Sequence, residues 1–174
     1  MNPSPTEHYR ALLRPTQGRR AILRIADQML RDPQALEAVR ALTRDPDRGV
    51  AWRALWACEK VSERDAERFA SETDGWIAEL LACRHAGSKR LLLGLLHRTR
   101  IEHLSVVLLD HCFELLASPD EAIAVRALAV KLACRLCKLE PALCGELRLL
   151  LETIDPACCS AALRSTIRQA LRRL

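Results

Sequence analysis

The sequence predicts an all-α fold, an α-α superhelix of about five helical-hairpin repeats. One observation is an internal match in which residues 45–55 align with residues 118–128 and six of the eleven pairs are identical. Their separation of 73 residues is about twice the period of common helical repeats. The other is that Pro, Gly, Asp and Ser cut the chain into helix-length pieces that lack the alternating pattern of β-strands.

Length and composition favour a single domain. A chain of 174 residues with 49% hydrophobic content can bury one good core. We expect an N-terminal lead segment over residues 1–18, containing a short helix at Thr6–Arg14, and one repeat domain over residues 19–174.

Two kinds of helix, named A and B, alternate after the lead helix. B helices are apolar around most of their circumference, which predicts burial between neighbours. A helices are apolar on one side only, which predicts a place in an outer layer. In the A helix predicted at 101–117, Val107 and Leu108 lie on the apolar side. Pro33 and Pro141 suit the first turn of an A helix. In chain order the predicted ranges are B 19–31, A 33–44, B 49–61, A 62–83, B 88–100, A 101–117, B 120–139, A 140–154 and B 161–174.

An arginine recurs early in every B helix, and two of these arginines follow an aspartate after five intervening residues. The aspartates are Asp47 and Asp120, and the second copy also has the dipeptide Val125-Arg126. This pattern resembles the second helix of the HEAT-repeat family, armadillo-like α-solenoids with about 40 residues per unit. The resemblance covers residues 19–174 and is nearest to short, single-domain bacterial HEAT-like proteins. The recurring arginines are Arg20, Arg53, Arg90, Arg126 and Arg164.

Three repeats depart from the family pattern, because Arg14, Arg84 and Cys158 stand where the aspartate is expected. The resemblance implies that the aspartate and arginine form a structural ladder between adjacent repeats rather than contact a ligand. The ladder residues are then Asp47, Arg53, Asp120 and Arg126.

Charge is segregated between the two kinds of helix. The net charge is +5, but the predicted B helices carry 18 basic and 4 acidic residues, whereas the A helices carry 5 basic and 13 acidic residues. The resemblance places B helices along the concave surface, which implies a basic inner face. Beyond the ladder position, the candidate binding residues at helical spacing are Arg24, Lys60, Arg98, Lys131, Arg135, Arg168 and Arg172. The same polar stripe also passes through Gln28, His97 and Lys138.

The sequence leaves several functions open. The first hypothesis is a non-enzymatic binding scaffold whose basic face takes an acidic peptide or protein surface; a simpler interpretation is a solvated face balanced by the acidic A helices. The alternative is a nucleic-acid binder resembling HEAT-like DNA alkylation-repair glycosylases, because Trp56 and Glu59 accompany the basic stripe. A homodimer through Leu171 and Leu174 is a third hypothesis.

Neither a metal nor another cofactor is predicted. Cys134 and Cys137 form a C-x-x-C motif, but they fall in the middle of a helix expected to be buried, where thiols act as small apolar side chains. The first 20 residues lack the apolar core of a secretory signal, and no run approaches the roughly 18 apolar residues of a membrane span. We therefore expect a cytoplasmic protein with free thiols.

Overall fold

The computed structural model describes residues 3–15 and 18–174, and every regular element in these ranges is helical. The predicted all-α class and the succession of helical hairpins are confirmed. Short 3-10 turns lie at Leu42–Arg44, Ala66–Glu72, Pro141–Leu143 and Pro156–Cys158. The α-helices are α1 Pro5–Leu13, α2 Arg19–Arg31, α3 Pro33–Ala41, α4 Arg48–Ser62, α5 Thr73–Ala82, α6 Ala86–Arg98, α7 Val106–Ala117, α8 Ile123–Cys137, α9 Cys144–Thr153 and α10 Ala161–Leu171.

Side-chain caps set the start of several helices. Ser4 and Glu7 form a capping box at α1, in which the Glu7 amide donates to the Ser4 hydroxyl at 3.2 Å and the Ser4 amide donates to the Glu7 carboxylate at 2.9 Å. Pro33 opens α3 as predicted, and Asp32 before it accepts a hydrogen bond from the Gln34 amide at 2.9 Å. Each cap satisfies an amide that the first helical turn leaves unpaired.

The chain forms two compact units, residues 1–71 and 72–174. In the described part of the first unit, the B helices α2 and α4 pack together, α1 packs against α3, and α3 also contacts α2 and α4. A bidentate ion pair fastens the end of α1, because Arg10 Nε and Nη2 lie 2.7 and 3.2 Å from the carboxylate oxygens of Asp45. That guanidinium lowers the pKa of the Asp45 carboxyl below its usual value.

The second unit is a two-layer stack. Its B helices α6, α8 and α10 are successive neighbours, and its A helices α5, α7 and α9 pack over them. Helix α8 lies at the centre, in contact with α6, α7, α9 and α10, and its Val125, Leu132 and Leu136 side chains are fully buried. This position explains why α8 is apolar around most of its circumference.

One predicted A helix is wrong in extent. The range 62–83 is not a continuous helix, because α4 runs on to Ser62 and a 3-10 turn precedes α5, which begins at Thr73. Ser62 ends α4 instead of capping the next helix, and its buried hydroxyl donates to the Glu59 carbonyl at 2.8 Å. The 3-10 turn buries Phe69 completely, so tertiary packing overrides the helical pattern there.

Candidate partner-binding surface

The charge segregation persists when the observed helix boundaries are used. Helices α2, α4, α6, α8 and α10 carry fifteen basic and two acidic residues, whereas α3, α5, α7 and α9 carry two basic and seven acidic residues. The two acidic residues are Asp27 and Glu59, both in the first unit. Helices α6, α8 and α10 therefore contain basic residues with no acidic residue among them.

Five exposed cations lie on α8, on α10 and just beyond their last turns. Lys131 and Lys138 are seven residues apart, and Arg168 and Arg172 are four apart, so each pair follows one side of its helix. None of the five side chains has a hydrogen bond or ion pair within the ranges that the structure describes. We call this set the basic surface; its members are Lys131, Lys138, Arg168, Arg172 and Arg173.

The basic surface combines predicted and unpredicted residues. Lys131, Lys138, Arg168 and Arg172 follow from helical spacing, whereas Arg173 does not. The signal for Arg173 was weak, because it lies two residues beyond the last residue of α10. Lys138 and Arg173 both act on the half-buried Cys134 thiol. Burial raises the pKa of this thiol, and the two positive charges lower it. The C-terminal ends of α8 and α10 therefore form one positive region.

Arg98 and Arg135 lie deeper than the basic surface and bond to backbone carbonyls at the end of α6. Arg98 Nη1 donates to the Gly94 carbonyl at 2.8 Å. Arg135 Nη1 donates to the Leu96 carbonyl at 3.2 Å and also to the His97 carbonyl. The Leu96 and His97 carbonyls belong to the last turn of α6 and lack amide partners within the helix, so Arg135 stabilises the α6–α8 junction. The Arg98 bond lies within α6 itself.

His97 lies within the same junction. Its pKa is lowered, first by burial of the half-buried imidazole and then by the charges of Arg135, Lys131 and Arg98. The enclosed Nδ1 atom has no hydrogen-bond partner in the described part of the chain. The neutral form of the His97 imidazole is thus favoured. The three cations near it include the exposed Lys131, so the positive potential of the junction reaches the protein surface.

The two candidate residues of the first unit differ in their surroundings. Arg24 is exposed on α2. Lys60 is mostly buried, and its Nζ lies 3.1 Å from a Glu59 carboxylate oxygen and 2.6 Å from a Glu63 carboxylate oxygen. The charge of Lys60 is balanced by its own helix, so Lys60 is a weaker candidate for binding an anion than the exposed cations of α8 and α10.

The aromatic and acidic residues behind the repair-enzyme hypothesis lie on α4. Trp52 and Trp56 pack with ring centroids 5.2 Å apart and planes tilted by 43°. Glu59 is only 5% exposed and engages Lys60. In this arrangement the Trp56 ring packs against Trp52, and the Glu59 carboxylate already engages the Lys60 ammonium.

The arginines predicted to form the ladder bond to the carboxyl ends of A-layer helices. Arg53 donates from Nη2 to the Arg14 carbonyl at 3.0 Å and from Nε to the Leu13 carbonyl, both at the end of α1. Arg126 is 5% exposed and donates from Nε to the Leu116 carbonyl at 3.1 Å, near the end of α7. Each arginine caps a helix end within its own unit.

The two predicted ladder aspartates have different environments, which gives a matched test. Asp47 caps α4, accepting from the Gly49 and Val50 amides at 2.8 and 3.3 Å. Asp120 is exposed and has no bond within the described ranges, and Ala122 precedes α8 instead. We expect Asp47→Ala to lower the free energy of unfolding by about 1 kcal/mol and Asp120→Ala to change it by less than about 0.5 kcal/mol. Urea unfolding measures both, and equal effects would contradict the assignment.

All eight cysteines are free thiols. Four of them are core side chains, three are half-buried and one is exposed; the buried ones are Cys58, Cys112, Cys137 and Cys159, and the exposed one is Cys158. Burial raises the pKa of the Cys112 and Cys137 thiols to about 12, which leaves them protonated and weakly nucleophilic. Cys137 and Cys144 each donate to a carbonyl across the α8–α9 turn, at 3.7 and 3.5 Å. Within the described residues, no group of His, Cys, Asp and Glu side chains is arranged to hold a metal ion.

Comparison with known proteins identifies the fold family. The family described as HEAT repeat domain matches residues 9–174. No curated protein and no solved structure shows significant similarity to the chain. Among the described residues, no helix has the length and apolar character needed to cross a bilayer.

Proposed function

The chain belongs to the HEAT repeat domain family, and from that premise we propose that it is a non-enzymatic interaction scaffold whose basic surface binds an acidic peptide or an acidic protein surface. HEAT repeats generally serve as interaction scaffolds, because stacked helices present an extended surface to a partner. The proposal places the protein in the cytoplasm, where its eight free thiols would persist.

One observation carries the proposal: α6, α8 and α10 contain no acidic residue, and five exposed cations on or beside α8 and α10 have no partner in the described part of the chain. Cations elsewhere differ, because Lys60 is paired with Glu59 and Glu63 and Lys89 with Glu121, whereas Arg24 on α2 is exposed and unpaired among the described residues. What distinguishes α8 and α10 is that their exposed cations are concentrated on two helices that are in contact and contain no acidic residue. That concentration favours an external anionic partner.

The size of the basic surface favours a protein partner over a nucleic acid. Nucleic-acid sites normally combine a long positive track with aromatic rings that stack on bases. The basic surface spans two helices, and neither α8 nor α10 contains an aromatic residue. A short acidic segment has the right extent, because five cations can engage only a few carboxylates.

Titration with two polyanions tests the proposal. A fluorescein-labelled peptide of twelve alternating Glu and Ala residues and a labelled single-stranded DNA of equal charge would be titrated with the protein, and the anisotropy measured. We expect the peptide to bind with a micromolar dissociation constant at low ionic strength, and more weakly at about 0.15 M salt, because the contacts are exposed. Tighter binding of the DNA would replace the proposal with the nucleic-acid alternative. Binding of neither would show that the basic surface is only solvated.

A further inference from the structure

The outer layer of the second unit exposes large apolar side chains among carboxylates. Val106, Val107 and Leu149 are 58%, 59% and 65% exposed, although Val107 was predicted to face inward. The acidic side chains around them in sequence are exposed too. We call this set the acidic surface; its members are Val106, Val107, Asp110 and Glu114 on α7, and Glu146, Leu149 and Glu152 on α9.

Helical spacing places these residues side by side. On α7, Val107 is followed by Asp110 and Glu114 three and seven residues later, which returns to the same side of the helix. On α9, Leu149 lies midway between Glu146 and Glu152, three residues from each, so all three are neighbours on the helix surface. Because α7 and α9 are in contact, the two groups form one region with an apolar centre and a negative border. Such a composition suits a partner with cations around smaller apolar groups.

The basic surface of the same unit has this composition. The basic surface carries five exposed cations, and the half-buried Leu171 and Leu174 flank Arg172 and Arg173 in the chain. The two surfaces belong to different layers, and the A helices pack on the B layer through buried side chains such as Leu108 and Leu147. The exposed sides of the layers therefore face away from each other, and the surfaces can meet only between two molecules.

We propose that the acidic surface of one copy docks onto the basic surface of a second copy in a head-to-tail contact. Such a contact is heterologous, so each copy in a pair keeps one of its two surfaces exposed, and association depends on protein concentration and ionic strength. The contact uses the basic surface on which the proposed function rests. An acidic peptide bound there therefore competes with self-association.

Two variants that each lack one surface test the contact by sedimentation velocity. One variant, Lys131→Glu with Lys138→Glu, Arg168→Glu and Arg172→Glu, loses the basic surface and keeps the acidic one. The other, Asp110→Asn with Glu146→Gln and Glu152→Gln, loses the acidic surface and keeps the basic one, and its acids are neutralised so that they cannot pair with the introduced glutamates. All substituted side chains are exposed, and circular dichroism would verify folding. We expect the wild type to self-associate at low ionic strength, each variant alone to be monomeric, and their equimolar mixture to form a 1:1 dimer.

A second mixture separates the specific contact from attraction between oppositely charged proteins. Adding Val107→Ser and Leu149→Ser to the variant that lost the basic surface removes the exposed apolar centre without changing charge. We expect this to weaken the mixed dimer by about tenfold or more. A wild type that stays monomeric at low ionic strength, a mixture that does not dimerise, or an unchanged dimer after the serine substitutions would each overturn the proposal. Peptide binding retained by the Asp110→Asn variant set would show that only self-association has failed.

Discussion

Replacing Arg126 with alanine is expected to lower the free energy of unfolding by about 2–4 kcal/mol. The side chain is 5% exposed, and its Nε donates to the Leu116 carbonyl at 3.1 Å. Alanine would leave that carbonyl without its donor and would open a cavity where the aliphatic stem packs. A loss of this size is a large share of the stability of a typical domain. Urea unfolding followed by circular dichroism measures it.

Two matched variants separate the contributions. Arg126→Met keeps most of the stem volume and removes the donor, so we expect about 1–3 kcal/mol from the lost bond alone. Arg168→Ala removes an exposed arginine from the neighbouring B helix α10 and is expected to change stability by less than about 0.5 kcal/mol. If Arg126→Ala proved as mild as Arg168→Ala, the structural role of Arg126 would be wrong. The recurring arginines would then have to be reconsidered as ligand contacts.

Two of the periodic arginines, Arg53 and Arg126, meet the same physical need, a donor for the carbonyls at a helix end. The choice of carbonyl differs between copies for a local reason. A Cβ at Gly49 would lie 2.7 Å from Arg53 Nη2, so glycine lets the guanidinium pass towards the end of α1. Ala122 occupies the aligned position in the second copy, where Arg126 bonds to Leu116 instead. Sequence alignment finds the shared arginine but not these partners, which depend on how the hairpins pack.

Helical spacing was less informative about the candidate site, because spacing reports which side of a helix a residue occupies and not what it meets. Arg135 and Lys131 lie four residues apart on one side of α8. Lys131 is exposed, whereas Arg135 reaches the end of α6 and bonds to the Leu96 carbonyl. Val107 shows the opposite outcome, since its apolar character predicted burial but α7 begins only at Val106 and the Val107 side chain is exposed. These outcomes are set by neighbouring helices, which a periodic pattern does not encode.

Reversing the charge of the basic surface is expected to abolish acidic-peptide binding. The variant combines Lys131→Glu, Lys138→Glu, Arg168→Glu and Arg172→Glu. Exposed ion pairs contribute about 0.2–1 kcal/mol each, and reversal adds repulsion to the lost attraction. Four such changes together predict a loss of about 100-fold or more in affinity, since each 1.4 kcal/mol is a factor of about ten. Anisotropy titration at low ionic strength measures the loss. Arg98 and Arg135 are left unchanged because their carbonyl bonds support the fold.

The decisive comparison is with a variant of the same net charge. Arg19→Glu, Arg20→Glu, Arg31→Glu and Arg84→Glu also reverse four exposed arginines, but none of these belongs to α8 or α10. If the basic surface binds the peptide, this control should retain affinity within about threefold of the wild type at about 0.15 M salt, because it leaves all five cations of that surface in place and salt screens long-range attraction. Equal losses in the two variants would mean that overall charge attracts the peptide. The unpaired cations of α8 and α10 would then have no special role, and the proposed function would lose its main support.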